Sequence, residues 1–96
     1  MAKPNKGQEE LSHAFFLLKK ETEIAKLIRD ILTLGEIKEL AKRLKVAQLL
    51  SQRKLNYKEI AKLVKTSTTT VTRVARWLKH GEGGYRIVIK RLGKTK

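Results

Sequence analysis

Residues 56–80 constrain the chain most. They read NYKEIAKLVKTSTTTVTRVARWLKH, with apolar residues at helical spacing on both sides of one short break. Ile60, Ala61 and Val64 make the first stripe, and Val71, Val74 and Leu78 make the second. Two short helices with such stripes bury them against each other, and small Ala61 permits a close approach. The second helix opens with Ser67-Thr68-Thr69-Thr70 and carries Arg73 and Arg76. From Ile60 to Gly81 there is no acidic residue. A tight helical pair whose second member is short-hydroxyl and basic on its free face is a helix-turn-helix arrangement, suited to a polyanion groove.

No strand alternation stands out in the rest of the chain, so the expected fold class is all-α, with about five to six short helices. Residues 1–8 are expected to be a flexible basic tail, 9–92 a single helical DNA-binding domain and 93–96 a second basic tail. Helix one is expected from about Glu9 to Lys20, with Leu11, Ala14, Phe15 and Leu18 on one stripe. Thr22 is the expected cap of the second, which carries Ile24, Leu27, Ile28, Ile31 and Leu32. Thr33 and Glu36 have capping-box spacing for a third helix that reaches about Ser51. Asn56 and Glu59 repeat that logic for the fourth, and Ser67 caps the fifth. Gly81-Glu82-Gly83-Gly84 ends the fifth helix, with glycine relieving the left-handed backbone common there. Tyr85 to Leu92 reads as a last short helix, against the β-branched preference of Ile87-Val88-Ile89.

The charge is strong and uneven. The net is +14; residues 1–48 hold ten Lys/Arg against seven Asp/Glu, and residues 49–96 hold thirteen against two. A solvated basic face is the ordinary alternative, but +11 in the second half is far from a mixed-sign surface. Nucleic acid is the expected partner. There is no Cys, which excludes disulfides, thiolate zinc sites and a Cys nucleophile. The longest apolar run, Ala14 to Leu18, is too short to span a membrane. No membrane partner and a cytoplasmic location are therefore expected. His13 and His80 have no metal-ligand spacing, and there is no Gly-rich phosphate loop. The expectation is no enzyme, no metal and no cofactor.

On a helical wheel of the fifth helix, Val71, Val74, Ala75 and Leu78 fall on one side. Thr69, Arg73, Arg76 and His80 fall on the other, with Thr68 and Thr72 beside them near the start. Those N-terminal positions meet base edges in this geometry, and Thr can hydrogen-bond several bases or touch a thymine methyl. Lys54, Lys58, Lys62, Lys65, Lys79 and Arg86 are candidates for backbone phosphate. The DNA-binding set is Lys58, Lys65, Thr68, Thr69, Thr72, Arg73 and Arg76. Trp77 is expected to pack beneath the recognition helix.

The segment from Leu32 to Lys79 resembles the tryptophan repressor family. Leu32-Thr33, Arg43, Leu49-Leu50, Glu59-Ile60 and Thr70-Val71-Thr72-Arg73 carry the resemblance. The ending Gly81-Glu82-Gly83-Gly84-Tyr85 looks like the uncharacterised branch of that family. The resemblance implies a Trp-repressor-like intertwined homodimer whose recognition helices enter successive major grooves. It matches Lys58 to a DNA-contacting Arg, and Thr68, Thr69 and Thr72 to recognition-helix contacts. It matches Thr33, Arg43 and Arg73 to positions around the corepressor's amino-acid backbone, making them possible effector-binding residues. Three residues depart from the pattern: Lys65 stands where the family has Gly in the turn, Val74 replaces the Gly under the corepressor ring, and Trp77 replaces a small Ser.

A dimer is also suggested by the residues alone. Phe15 to Leu18 and Ile24 to Leu32 carry apolar side chains on more than one helical face. The reading is a sequence-specific, repressor-like transcriptional regulator that binds double-stranded DNA as a homodimer and does not respond to tryptophan. A small anionic effector at Arg43 stays open. The alternatives are a non-specific architectural or RNA-associated protein and a module whose basic face meets an acidic protein.

Overall fold

The computed structural model describes residues 5–94. Six helices follow one another, with no strand among the described residues: α1 (Lys6–Phe16), α2 (Glu21–Ile31), α3 (Leu34–Gln52), α4 (Tyr57–Val64), α5 (Thr68–His80) and α6 (Gly84–Lys94). The chain divides into two compact units whose boundary, between Ile37 and Lys38, lies inside α3. Residues 1–4 and 95–96 of the two expected tails lie outside the described residues.

In the first unit, α1 begins at Lys6, earlier than its apolar stripe suggests, because the Asn5 side chain accepts from the Gln8 amide at 2.7 Å. It ends at Phe16. The second helix starts at Glu21, and Thr22 is not its cap. The carboxylate of Glu23 takes that role, accepting from the amides of Lys19 (2.7 Å) and Lys20 (3.3 Å). A carboxylate serves two donors and complements the positive helix end, where the hydroxyl of Thr22 would serve one. The expected capping box at α3 forms: the Thr33 amide donates to Glu36 at 2.8 Å, and the Glu36 amide donates to Thr33 Oγ1 at 3.1 Å. Neither α1 nor α2 contains a buried residue. Phe16 is 82% exposed.

The core lies in the second unit. Val46, Ala47 and Leu49 of α3 meet Ile60 and Ala61 of α4 and Val71 and Val74 of α5. Leu50, Leu55, Val64, Tyr85 and Ile89 close around them. Helix α4 packs on α5, and α5 on α6. Helix α6 forms although Ile87-Val88-Ile89 is β-branched, because Tyr85 and Ile89, four residues apart, both reach the core. Packing of that pair outweighs a propensity difference of a few tenths of a kcal/mol per residue.

The glycines after α5 serve otherwise than expected. Gly81 is extended, not left-handed. It must be glycine because a Cβ there would collide with the Trp77 carbonyl oxygen. The left-handed backbone falls at Gly83, φ 92°. Among the described residues, no helix is long and apolar enough to cross a membrane.

Candidate nucleic-acid interface

The interface starts at α4. Asn56 and Glu59 cap it reciprocally, each amide donating to the other's side chain at 2.9 Å. This fixes the first turn, from which Lys58 projects exposed. The helix ends at Lys65 in the left-handed region, φ 63° and ψ 53°. The Thr66 amide donates back to the Ala61 carbonyl at 2.9 Å, closing the end of the helix as a left-handed cap does. A non-glycine residue there costs about 1 kcal/mol. From α3, the Lys42 ammonium donates to the Lys65 carbonyl at 3.0 Å and ties down the turn.

Helix α5 follows at once. Ser67 Oγ accepts from the Thr70 amide at 3.1 Å, so Ser67 and Thr70 face each other across the cap. Val71, Val74 and Ala75 are buried. Thr68, Thr69, Thr72, Arg73 and Arg76 are exposed. Thr72 Oγ1 donates to the Thr68 carbonyl at 3.0 Å, which uses its proton and leaves its lone pairs and methyl for a partner. Neither Arg73 nor Arg76 makes an ion pair among the described residues. The seven residues of the expected DNA-binding set thus all lie in the second unit, on α4, the turn and the outer face of α5.

Arg86 is not the wholly free surface cation expected, because two of its nitrogens already bond within the chain. Its Nε donates to the Leu78 carbonyl at 2.8 Å and its Nη2 to the Lys79 carbonyl at 2.7 Å. A guanidinium at the negative end of a helix satisfies carbonyls that have no partner within it. Arg86 therefore positions α5. Lys42 holds the turn before α5 and Arg86 the end of α5, and sequence spacing signalled neither.

The possible effector residues are divided. Thr33 belongs to the first unit, where its hydroxyl caps α3. Arg43 and Arg73 belong to the second. Arg43 pairs weakly with Glu39 at 3.9 Å and lies over the Trp77 ring, 5.4 Å from its centre. Trp77 is not beneath the recognition helix: it is 40% exposed, because its side of α5 meets a guanidinium and not the core. Val74 is fully buried in the core. A cavity of about 640 Å³ opens between Leu44, Trp77, the Gly81–Gly84 turn, Tyr85 and Val88. Burial raises the Tyr85 hydroxyl above its ordinary pKa, and the nearby Arg43 charge opposes that shift.

The Trp repressor protein family profile matches residues 6–93. The uncharacterized protein YerC of Bacillus subtilis (strain 168) is 32% identical over 90 residues, covering 94% of this chain and 86% of YerC. A crystal structure from Staphylococcus aureus, provisionally assigned as a Trp repressor, superposes with a TM-score of 0.83 at 30% identity, over 94% of this chain and 89% of that one. A TrpR-like protein from Eubacterium eligens ATCC 27750 gives a TM-score of 0.83 at 36% identity, over 93% and 91% of the two chains.

Proposed function

We infer that this chain, which belongs to the Trp repressor family, is a sequence-specific transcriptional regulator, repressor-like, that acts as a homodimer on double-stranded DNA. The family is one of DNA-binding regulators. The observation that carries the finer reading is the division of α5. Val71, Val74 and Ala75 fix one side in the core, while Thr68, Thr69, Thr72, Arg73 and Arg76 stand exposed on the rest. Short hydroxyl side chains at the start of the helix suit base edges, and the arginines suit the flanking phosphates. Lys58 and Lys65 add cations from the preceding helix and turn. The chain works without tryptophan, in the cytoplasm, and has no catalytic role.

If Lys58, Lys65, Arg73 and Arg76 each meet one phosphate, a dimer neutralises about eight, and log K falls against log salt with a slope of about −7. The deciding experiment is selection of bound duplexes from a random pool, followed by salt titration of the selected and a random duplex. A regulator recovers a motif and keeps a specificity ratio at physiological salt. Recovery of no motif, with equal affinity for both duplexes, makes it a non-specific nucleic-acid binder.

A further inference from the structure

Where α3 ends, α4 begins and α5 ends, the second unit carries a half-open cavity of about 540 Å³. Small-ligand sites commonly measure about 300–1,000 Å³. The wall of this one divides chemically. Leu50, Leu55 and Leu78 give it an apolar side, whereas Arg53, Lys79 and Arg86 bring three cations, with no carboxylate on the lining. The side chains of Arg53 and Lys79 make no ion pair among the described residues. Arg86 is held in place by its bonds to the C-terminal end of α5, which engage Nε and Nη2 but not Nη1. Arg53 has a left-handed backbone, φ 56°. Glycine would hold that conformation at lower cost, yet a long cation stands there on the cavity lining.

Three cations line one concavity with no carboxylate among them, so the concavity favours an anion over a cation. The apolar half then selects among anions. We propose that this cavity binds a small organic phosphate: its hydrocarbon body lies against the leucines, and its phosphate head lies among Arg53, Lys79 and Arg86. A dianion with three terminal oxygens answers three cations better than a single carboxylate does. The occupant joins the end of α5, at Leu78 and Lys79, to Leu55 before α4 and Tyr57 at its start.

The phosphate titrations contain no DNA, so their failure is separate from failure of the DNA-binding reading. The isotope-labelled full chain is titrated with phenyl phosphate, and in parallel with inorganic phosphate as head alone and phenol as body alone. Phenyl phosphate is expected to saturate one site per chain, roughly tenfold or more tighter than either fragment, with amide shifts centred on Ser51, Leu55, Tyr57 and Lys79. Arg53→Gly removes a cation while relieving the left-handed backbone, so it keeps the fold; it and Lys79→Gln should each weaken binding roughly tenfold. Lys90→Gln lowers the net charge outside the cavity and should leave binding unchanged. The proposal is overturned if phenyl phosphate binds no tighter than inorganic phosphate, or binds the two cavity variants as well as the parent. A short DNA duplex that shifts these amides where phenyl phosphate does not also overturns it, and assigns the cations to the DNA backbone.

Discussion

Arg43 and Trp77 stack across two helices, the guanidinium carbon lying 5.4 Å from the centre of the indole. Arg43 comes from α3 and Trp77 from α5, so the contact links the central helix to the recognition helix outside the buried core. At an exposed site such a stack contributes about 0.5–1 kcal/mol. Trp77 stays 40% exposed beside that cation. The contact therefore adds to the orientation of α5 given by Val71 and Val74 and by the bonds from Arg86.

Lys65 sets fold stability against DNA affinity. Its backbone is left-handed and its side chain exposed. Lys65→Gly should raise stability by about 1 kcal/mol in urea denaturation. The same change removes one cation per chain and should reduce the salt slope of DNA binding by about 0.9 per chain. A destabilised Lys65→Gly variant would show that the backbone conformation carries no cost here.

Thr72 should act as an acceptor or a methyl contact, since its hydroxyl proton is bound to the Thr68 carbonyl. Thr72→Ala is expected to weaken the selected duplex by about 1–3 kcal/mol and to weaken a random duplex much less. Ala has the higher helix propensity, so a lost fold cannot explain the loss. Equal effects on both duplexes would remove direct readout at this residue.

The features legible in the sequence are those within one helical turn. The caps at Thr33, Asn56 and Ser67 all join residues three apart, and the stripes of α4 and α5 repeat every three or four. The rest depends on long side chains crossing between elements. Lys42 reaches a carbonyl 23 residues away and Arg86 one eight residues away, and a lysine or arginine at such a distance has many alternative partners. Trp77 shows the same limit. It follows Val74 by three residues, which fits the buried stripe, but α3 sets the Arg43 guanidinium over its ring and the residue stays 40% exposed. The exposed face of α5 was legible because its opposite is so regularly apolar.

Arg86→Ala should lower stability by about 1–2 kcal/mol, a modest figure because the side chain is exposed. Two carbonyls at the end of α5 lose their donor. Arg86→Lys keeps the charge but not the planar fork, so it should recover less than half of the loss in thermal unfolding. Full recovery by Lys would reduce the role of Arg86 to charge alone.

The first unit predicts association. Neither of its two complete helices has a buried residue, and Phe16 is 82% exposed. A second copy of the chain is the proposed cover. Light scattering should give twice the 11.0 kDa chain mass at micromolar concentration, and Phe16→Ser should shift the equilibrium toward monomer. A parent chain that stays monomeric with and without DNA would rule out the dimer.

Free L-tryptophan should not bind as a corepressor. The family resemblance places the corepressor ring against a glycine that directly follows the recognition-helix Arg, here Arg73. This chain has Val74 there, and Val74 is fully buried among Val46, Ile60 and Val71. Its methyls fill core space, so they leave no bare backbone for a ring. One turn from Arg73, Trp77 already brings an indole to the helix, and Arg43 already stacks on it. A ligand that needs Arg43 must first break that stack, at about 0.5–1 kcal/mol, and then meet an overpacked site that costs typically about 1–3 kcal/mol more. Together these terms lower affinity roughly tenfold to several-hundredfold, which takes a ligand of tens-of-micromolar affinity to hundreds of micromolar or weaker. Calorimetry should therefore show no saturable tryptophan binding at tens of micromolar, and DNA affinity should be the same with and without it. Trp77→Ser removes the competing indole and should leave tryptophan still unbound, because Val74 stays. Binding by the parent chain, coupled to tighter DNA association, would show that a buried valine at this position does not close the site.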